Sequence, residues 1–297
     1  MKAMEWGTTL TAMVTPMNSV GAVDTATAVA LAKDIIDNGC DGVILCGTTG
    51  EAATLTREEK LALFAAVGDA VAGKGLVIAG VGSNSTRETV ELIRQADKLP
   101  VDGYMIITPY YNKPNQAGMV EHYKAAAAAS TKPIMLYNVP SRTGIDLSLE
   151  DYQQVLRNCP GITAVKEAGA NFAKAGRLVA EFPEVQFFSG NDSETLPLML
   201  LGFKGVVSVA ANVVPAAVSW LTKQASQGNW EGARRTHVYL TPLFAALFSE
   251  TNPVPVKAAL EFQGWPVGSP RLPLARLSAG NCGRLRAIMK DYTREGH

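Results

Sequence analysis

One lysine, Lys166, closes the short apolar run Ile162-Thr163-Ala164-Val165, which follows the turn-like Cys159-Pro160-Gly161. Such a run reads as a buried strand. An ammonium carried into a strand of this kind loses hydration, which lowers a lysine's pKa from its ordinary value of about 10.4. An amine kept partly neutral attacks ketones and forms a Schiff base. A lysine that pairs with Glu167 or snorkels out of the strand end does neither. Three other features could serve the first chemistry. Tyr137 could move protons as a general acid/base if hydroxyls polarise it, or it could be a half-buried core tyrosine. Gly47-Thr48-Thr49-Gly50-Glu51 combines flexible glycines with two hydroxyls and could hold a small carboxylate, or be an ordinary strand-end turn. Arg142 follows Pro140-Ser141, where a guanidinium could grip a carboxylate through two hydrogen bonds or lie solvated in the loop.

The elements that must position these groups are short and regular. Eight apolar runs, at 9–14, 42–46, 76–81, 103–108, 134–138, 162–166, 185–189 and 205–209, read as strands buried on both faces, as in a parallel sheet. Helix signals lie between them. Thr56-Arg57-Glu58-Glu59 reads as a capping box, followed by Leu63, Val67 and Ala70 at helical spacing, and Ser85-Thr86-Arg87-Glu88 reads as a second. The alanines at 125–129 favour helix. Eightfold strand–helix alternation predicts an α/β fold, a closed (β/α)8 TIM barrel. A doubly wound sheet would call for a glycine-rich dinucleotide loop after the first strand, where Thr15-Pro16-Met17-Asn18 stands instead. The alternation ends near Gln227, so the expected organisation is a catalytic barrel over 1–228. Residues 229–297, with helical texture at 230–247 and 255–262, would then form a helical layer packed on it.

A barrel of this type carries its chemistry at the carboxyl ends of its strands. The loop 47–51 follows the second run, and Pro109-Tyr110-Tyr111-Asn112 follows the fourth. Tyr137 to Gly144 end the fifth, Lys166-Glu167 the sixth and Gly190-Asn191-Asp192 the seventh. Polar and cationic residues thus collect where the active-site mouth is expected.

Composition narrows the class. Hydrophobic residues make up 47% and charged residues 18% of 297, enough for a large core, and the formal net charge is zero. No basic excess exists for nucleic acid. Cys40, Cys46, Cys159 and Cys282 show no zinc spacing or disulfide framework, and Cys40 and Cys46 read as small core residues. The histidines His122, His237 and His297 are scattered, so no metal site is expected. Neither GxxxxGK[ST] nor GxGxxG occurs, which argues against nucleotide chemistry. The first sixteen residues lack a basic segment leading into a long apolar one, and no stretch approaches a membrane span. A cytoplasmic protein with no membrane partner is the expectation.

Taken in order, these residues resemble the dihydrodipicolinate synthase family, among the pyruvate-dependent class I aldolases that include N-acetylneuraminate lyase. The resemblance runs from Gly7-Thr8 to Arg271-Leu272-Pro273-Leu274. Gly47-Thr48-Thr49-Gly50-Glu51 and Val165-Lys166-Glu167-Ala168 mark the wider group. Thr108 to Pro114, Tyr137 to Gly144, and Asn252-Pro253-Val254-Pro255-Val256-Lys257 are more specific.

The resemblance implies that Lys166 forms an imine with pyruvate, needing no other cofactor. The derived enamine would attack aspartate semialdehyde to give 4-hydroxy-tetrahydrodipicolinate, on the way to diaminopimelate and lysine. It further implies a proton relay of Tyr137, Thr49 and Tyr111 with Thr48 beside it. Pyruvate would be held at Thr49 and Val207, and Gly190 would lie at the substrate. Arg142 would grip the semialdehyde's carboxylate. Tyr111 would complete a neighbouring subunit's site, hence at least a homodimer and commonly a homotetramer. Ala53, Arg57, Lys60, Asn84, Glu88 and Tyr110 match a lysine-effector cleft. Arg57 and Lys60 would oppose a cationic effector there, partly offset by Glu88, so weak or absent inhibition is expected. Gly190-Asn191-Asp192 departs from the family's usual Gly-Asp-Asp and is expected to be tolerated. Two other readings remain: an aldolase acting on a 2-keto-3-deoxy sugar acid, and a non-catalytic keto-acid-binding paralogue.

Overall fold

A computed structural model describes residues 4–292 and 294; His297 and the first three positions lie outside the described residues. Eight strands close into one parallel barrel in chain order. They are β1 Thr9–Ala12, β2 Gly42–Leu45, β3 Leu76–Gly80, β4 Gly103–Ile107, β5 Ile134–Asn138, β6 Ile162–Glu167, β7 Gln186–Ser189 and β8 Gly205–Ser208. Closure is made by β1, in which Leu10 pairs with Gly42 on one side and Val207 on the other.

Strand side chains alternate between two cores. Ile44, Ile78 and Met135 fill the barrel interior with Leu10, Met105, Phe188 and Val207. Their strand neighbours Val43, Leu45, Val77, Ala79, Ile134 and Leu136 pack outward under the helices. By this parity Tyr137, two residues beyond Met135, belongs to the interior.

Lys166 does not reach the interior by alternation alone. Ile162 is in the outer core, so a regular strand would turn every even-numbered residue of β6 outward. The pairing of β5 with β6 shifts between Ile134 and Met135, whose partners are Ile162 and Ala164. Thr163 accepts a hydrogen bond from Trp6 Nε1 (3.2 Å), and both Trp6 and Ala164 belong to the interior cluster. Two consecutive residues therefore face inward, as in a β-bulge, which re-aims the rest of its strand. The bulge turns Val165 out, brings Lys166 in and pairs it directly with Tyr137.

The helix Arg57–Val71 begins with the expected capping box: Glu59 N donates to Thr56 Oγ1 (3.2 Å) and Thr56 N to Glu59 Oε2 (2.9 Å). The second box forms by half. Ser85 Oγ accepts from Glu88 N (3.3 Å) at the start of Thr86–Ala96, but the Glu88 carboxylate goes to Arg57 (2.5 Å) instead. A charge-assisted bond outcompetes a neutral backbone donor here. After the barrel, Trp230–Leu247 and Val254–Phe262 place Leu240, Leu243, Leu247, Val256 and Leu260 in the outer core. Among the described residues no helix is long and apolar enough to cross a membrane.

Candidate active site

Lys166 and Tyr137 stand side by side in the barrel, 4% and 5% exposed. The amine lies 4.2 Å from the centroid of the tyrosine ring, a cation–π distance. Burial pulls the lysine's pKa down to about 7; the Asp192 carboxylate opposes this and the Arg142 guanidinium adds to it. Asp192 is itself buried beneath β8, accepting from Ser208 Oγ, Val209 N (3.0 Å) and Ala210 N (3.1 Å). Burial raises its pKa against those hydrogen bonds and the pull of Lys166. Near neutral pH the lysine is thus an amine for a substantial fraction of the time, which a nucleophile requires. Burial pushes Tyr137 up to about 12, while Arg142 and a hydrogen bond with Thr48 pull it back.

The loop after β2 divides its two hydroxyls. Thr48 meets Tyr137, whereas Thr49, 2% exposed, accepts from Asn252 Nδ2 (2.9 Å). The hydroxyl beside Tyr137 is therefore that of Thr48, and Thr49 faces a partner from the distant 251–257 segment. Two N–H groups of this loop serve its own turn, Glu51 N to Thr48 O (3.1 Å) and Ala52 N to Gly47 O (3.2 Å). Glu51 then makes a buried ion pair with Lys257 (2.8 Å), both side chains 2% exposed. Lys257 also donates to Thr15 O (3.1 Å), and Arg271 N to Glu51 Oε2 (2.8 Å).

Arg142 sits on the short helix Pro140–Thr143 and donates to the backbone carbonyl of Asn252 (3.1 Å). Gly190 N donates to Glu167 O (2.7 Å), and a Cβ at Gly190 would stand 2.7 Å from Ala168 Cβ and 3.2 Å from the Lys166 stem. Glycine here lets the loop after β7 close over the lysine. Val207 is wholly buried in β8, inside the barrel.

Thr48, Tyr137, Arg142 and Asn252 share a cavity of about 480 Å³ with Ala53, Lys60 and Tyr110. Lys166 does not line it; its amine rests on Tyr137, which does. Tyr111 is not brought to this chain's cavity: its ring is 88% exposed on a left-handed backbone (φ 72°), a conformation uncommon outside glycine. Of the other residues expected to match an effector cleft, Arg57 is paired with Glu88 (2.5 Å) and Glu91 (3.1 Å), and Asn84 O accepts from Asn112 Nδ2 (2.8 Å).

Sequence reasoning assigned no role to Asn252, Lys257 or Asp192. For Lys257 the signal was present: a lysine between Val256 and Ala258 in an apolar helix is the same anomaly as Lys166.

A sequence model described as the dihydrodipicolinate synthetase family matches residues 5–292. The chain is 47% identical over 289 residues to the 4-hydroxy-tetrahydrodipicolinate synthase of Synechococcus sp. (strain JA-2-3B'a(2-13)), covering 97% of this chain and 94% of that protein. Among solved structures, that of DHDPS from Cyanidioschyzon merolae with lysine bound superposes with a TM-score of 0.94 at 44% identity, over 96% of this chain and 98% of that one. A dihydrodipicolinate synthase characterised as the first monomeric variant superposes at 0.93 with 36% identity, over 96% of both chains.

Proposed function

The chain belongs to the dihydrodipicolinate synthetase family, and on that premise we propose that it is a lyase condensing pyruvate with aspartate semialdehyde to 4-hydroxy-tetrahydrodipicolinate, in lysine and diaminopimelate biosynthesis. The observation that carries the reading is the Lys166 amine, buried and held against Tyr137 beside the cavity that Arg142 borders. The free amine adds to the keto carbon of pyruvate, and loss of water gives the imine. A methyl proton leaves, and the resulting enamine carbon attacks the aldehyde to form the new C–C bond. Tyr137, tuned by Thr48, moves the protons of these steps. Arg142, steadied by Asn252 O, receives the semialdehyde's carboxylate. The substrate's amino group then replaces the lysine at the imine carbon, closing the ring and releasing Lys166. No cofactor enters this scheme.

Thr49 and Val207 are the pyruvate anchors of this reading, with Gly190 shaping the lysine's side of the site. Residues 1–228 form its catalytic barrel and 229–297 a helical layer packed on it, a division supported by the contacts Asn252 and Lys257 make with the loop after β2. Tyr111 completes a second subunit's relay; its exposed ring supports this, as does Leu272, 82% exposed. Exposed Phe172, Leu200 and Leu201 support a further contact joining dimers into a tetramer. The chemistry, biosynthesis from small soluble metabolites, suits a cytoplasmic enzyme.

The decisive experiment treats the protein with pyruvate and borohydride, maps any adduct by mass, and then measures condensation with the semialdehyde. An adduct on Lys166 with condensation is expected. An adduct without condensation points to a sister aldolase for a 2-keto-3-deoxy sugar acid, and binding without an adduct to a non-catalytic paralogue. Tyr111→Phe is expected to lower turnover roughly ten- to a thousandfold; wild-type turnover would remove Tyr111 from the relay. Lysine is expected to inhibit weakly, because Glu88, the carboxylate suited to its ammonium, is engaged by Arg57 and because Lys60 shares the cavity wall. Strong inhibition well below millimolar lysine contradicts this.

A further inference from the structure

The segment that follows Trp230–Leu247 reaches the barrel mouth at Thr251 and Asn252, the second of them 6% exposed. The two ends of Asn252 do different things. The backbone carbonyl takes Arg142, an acceptor that every residue type carries. The side-chain amide donates to Thr49 Oγ1 at 2.9 Å, while its Oδ1 is buried without a hydrogen-bond partner. No second hydrogen bond of the amide competes with the one to Thr49 among the described residues.

A hydroxyl has one proton to give and two lone pairs to receive with. When an amide N–H occupies a lone pair of Thr49 Oγ1, the threonine's own proton cannot also point to that amide. It must go to another acceptor. We propose that Asn252 is a positioning residue: by donating to Thr49 it turns the Thr49 O–H toward the carboxylate of the keto-acid substrate, making the first substrate's anchor a donor. This rests on the assignment of Thr49 to pyruvate made above. Asn252 is held for the task by the buried Glu51–Lys257 pair, which ties its segment to the loop bearing Thr49.

Asn252→Asp keeps the shape and reverses the hydrogen bond, since a carboxylate only accepts. Thr49 then gives its proton to Asp, and a negative charge stands near the substrate's own. Asn252→Ala removes the direction without reversing it. Steady-state kinetics should show KM for pyruvate rising roughly three- to tenfold in the alanine variant, the range for a lost hydrogen bond, and further in the aspartate variant. KM for the semialdehyde should change less than about twofold in the alanine variant, because Arg142 keeps its backbone anchor. Thr49→Val should raise KM for pyruvate by itself, and adding Asn252→Asp to it should add little, because a residue acting through another is not additive with it. Three results would overturn the proposal: aspartate and alanine variants with equal KM for pyruvate, a fall in turnover alone, or additive effects in the double variant. If an Asn252 variant unfolds early in a thermal scan, borohydride trapping at saturating pyruvate gives the folded fraction, to which turnover is referred, while KM is independent of that fraction. Failure of the wild type to form the adduct at all would defeat the pyruvate reading itself, a different outcome from any of these.

Discussion

Lys166→Met abolishes the pyruvate adduct, lowers turnover by at least about 10⁴-fold, and raises the unfolding temperature. The first two effects follow because methionine fills the space and has no electron pair to give the keto carbon. The third comes from the cost of burying an ammonium. The folded pKa of Lys166 is about 7, against an ordinary value of 10.5. Between those values the unfolded chain binds a proton that the folded chain does not, so wild-type stability rises with pH across that window. Below pH 7 both states are protonated and the full cost of the buried charge is carried. The gain in Lys166→Met is therefore largest at and below pH 7 and shrinks toward pH 10.5. Asp192 loses a nearby cation, but it keeps Ser208 and two backbone N–H groups as donors. Calorimetry of both proteins from pH 6 to 10 checks this, and a destabilised variant at pH 7 would show that the contacts of Lys166 outweigh its desolvation. In the wild type, the rate of adduct formation should climb through pH 7 and level off about one unit above it.

Lys257→Met lowers stability by about 3–5 kcal/mol, the range for breaking a buried ion pair from one side. It takes from the Glu51 carboxylate, its side chain 2% exposed, the cation it pairs with and from the carbonyl of Thr15 its donor, leaving Glu51 with the Arg271 N–H. Arg57→Met also removes a cation with carboxylate partners, but its pairs are 32–44% exposed and screening leaves them little to contribute. Urea titrations of the two variants should differ in midpoint with similar slopes. Equal midpoints would mean that water reaches Lys257 and that the pair is not a dry clamp. Turnover should fall with stability in Lys257→Met, because the segment it secures carries Asn252.

Strands were legible because parallel strands buried on both faces are continuous apolar runs. Their ends were less so: Val14 and Cys46 extend the apolar runs but lie outside β1 and β2, and Cys46 turns to φ 53°. The run at 162–166 gave the right strand for an incomplete reason, since composition does not display the bulge at Thr163 that turns Lys166 inward. The split of Thr48 to Tyr137 and Thr49 to Asn252 was not legible either. Adjacent threonines differ only in the direction that a loop gives them, and Asn252 is 203 residues from Thr49. Lys257 carries the same legible signal as Lys166, a lysine set among apolar residues, but its partner Glu51 lies 206 residues away.

The joint between β1 and β8 has a consequence for how the molecule comes into being. Leu10 finds Val207 only after most of the chain has emerged, and Thr49 finds Asn252 later still. Contacts so distant in the chain form late, since loop closure costs entropy before the contact rewards it. Before the barrel closes, Lys166 is a hydrated lysine with an ordinary pKa of about 10.4, mostly protonated at neutral pH and correspondingly slow to attack a keto acid. Its nucleophilicity is therefore a property of the closed barrel, which buries the amine between strands drawn from the whole length of the sheet.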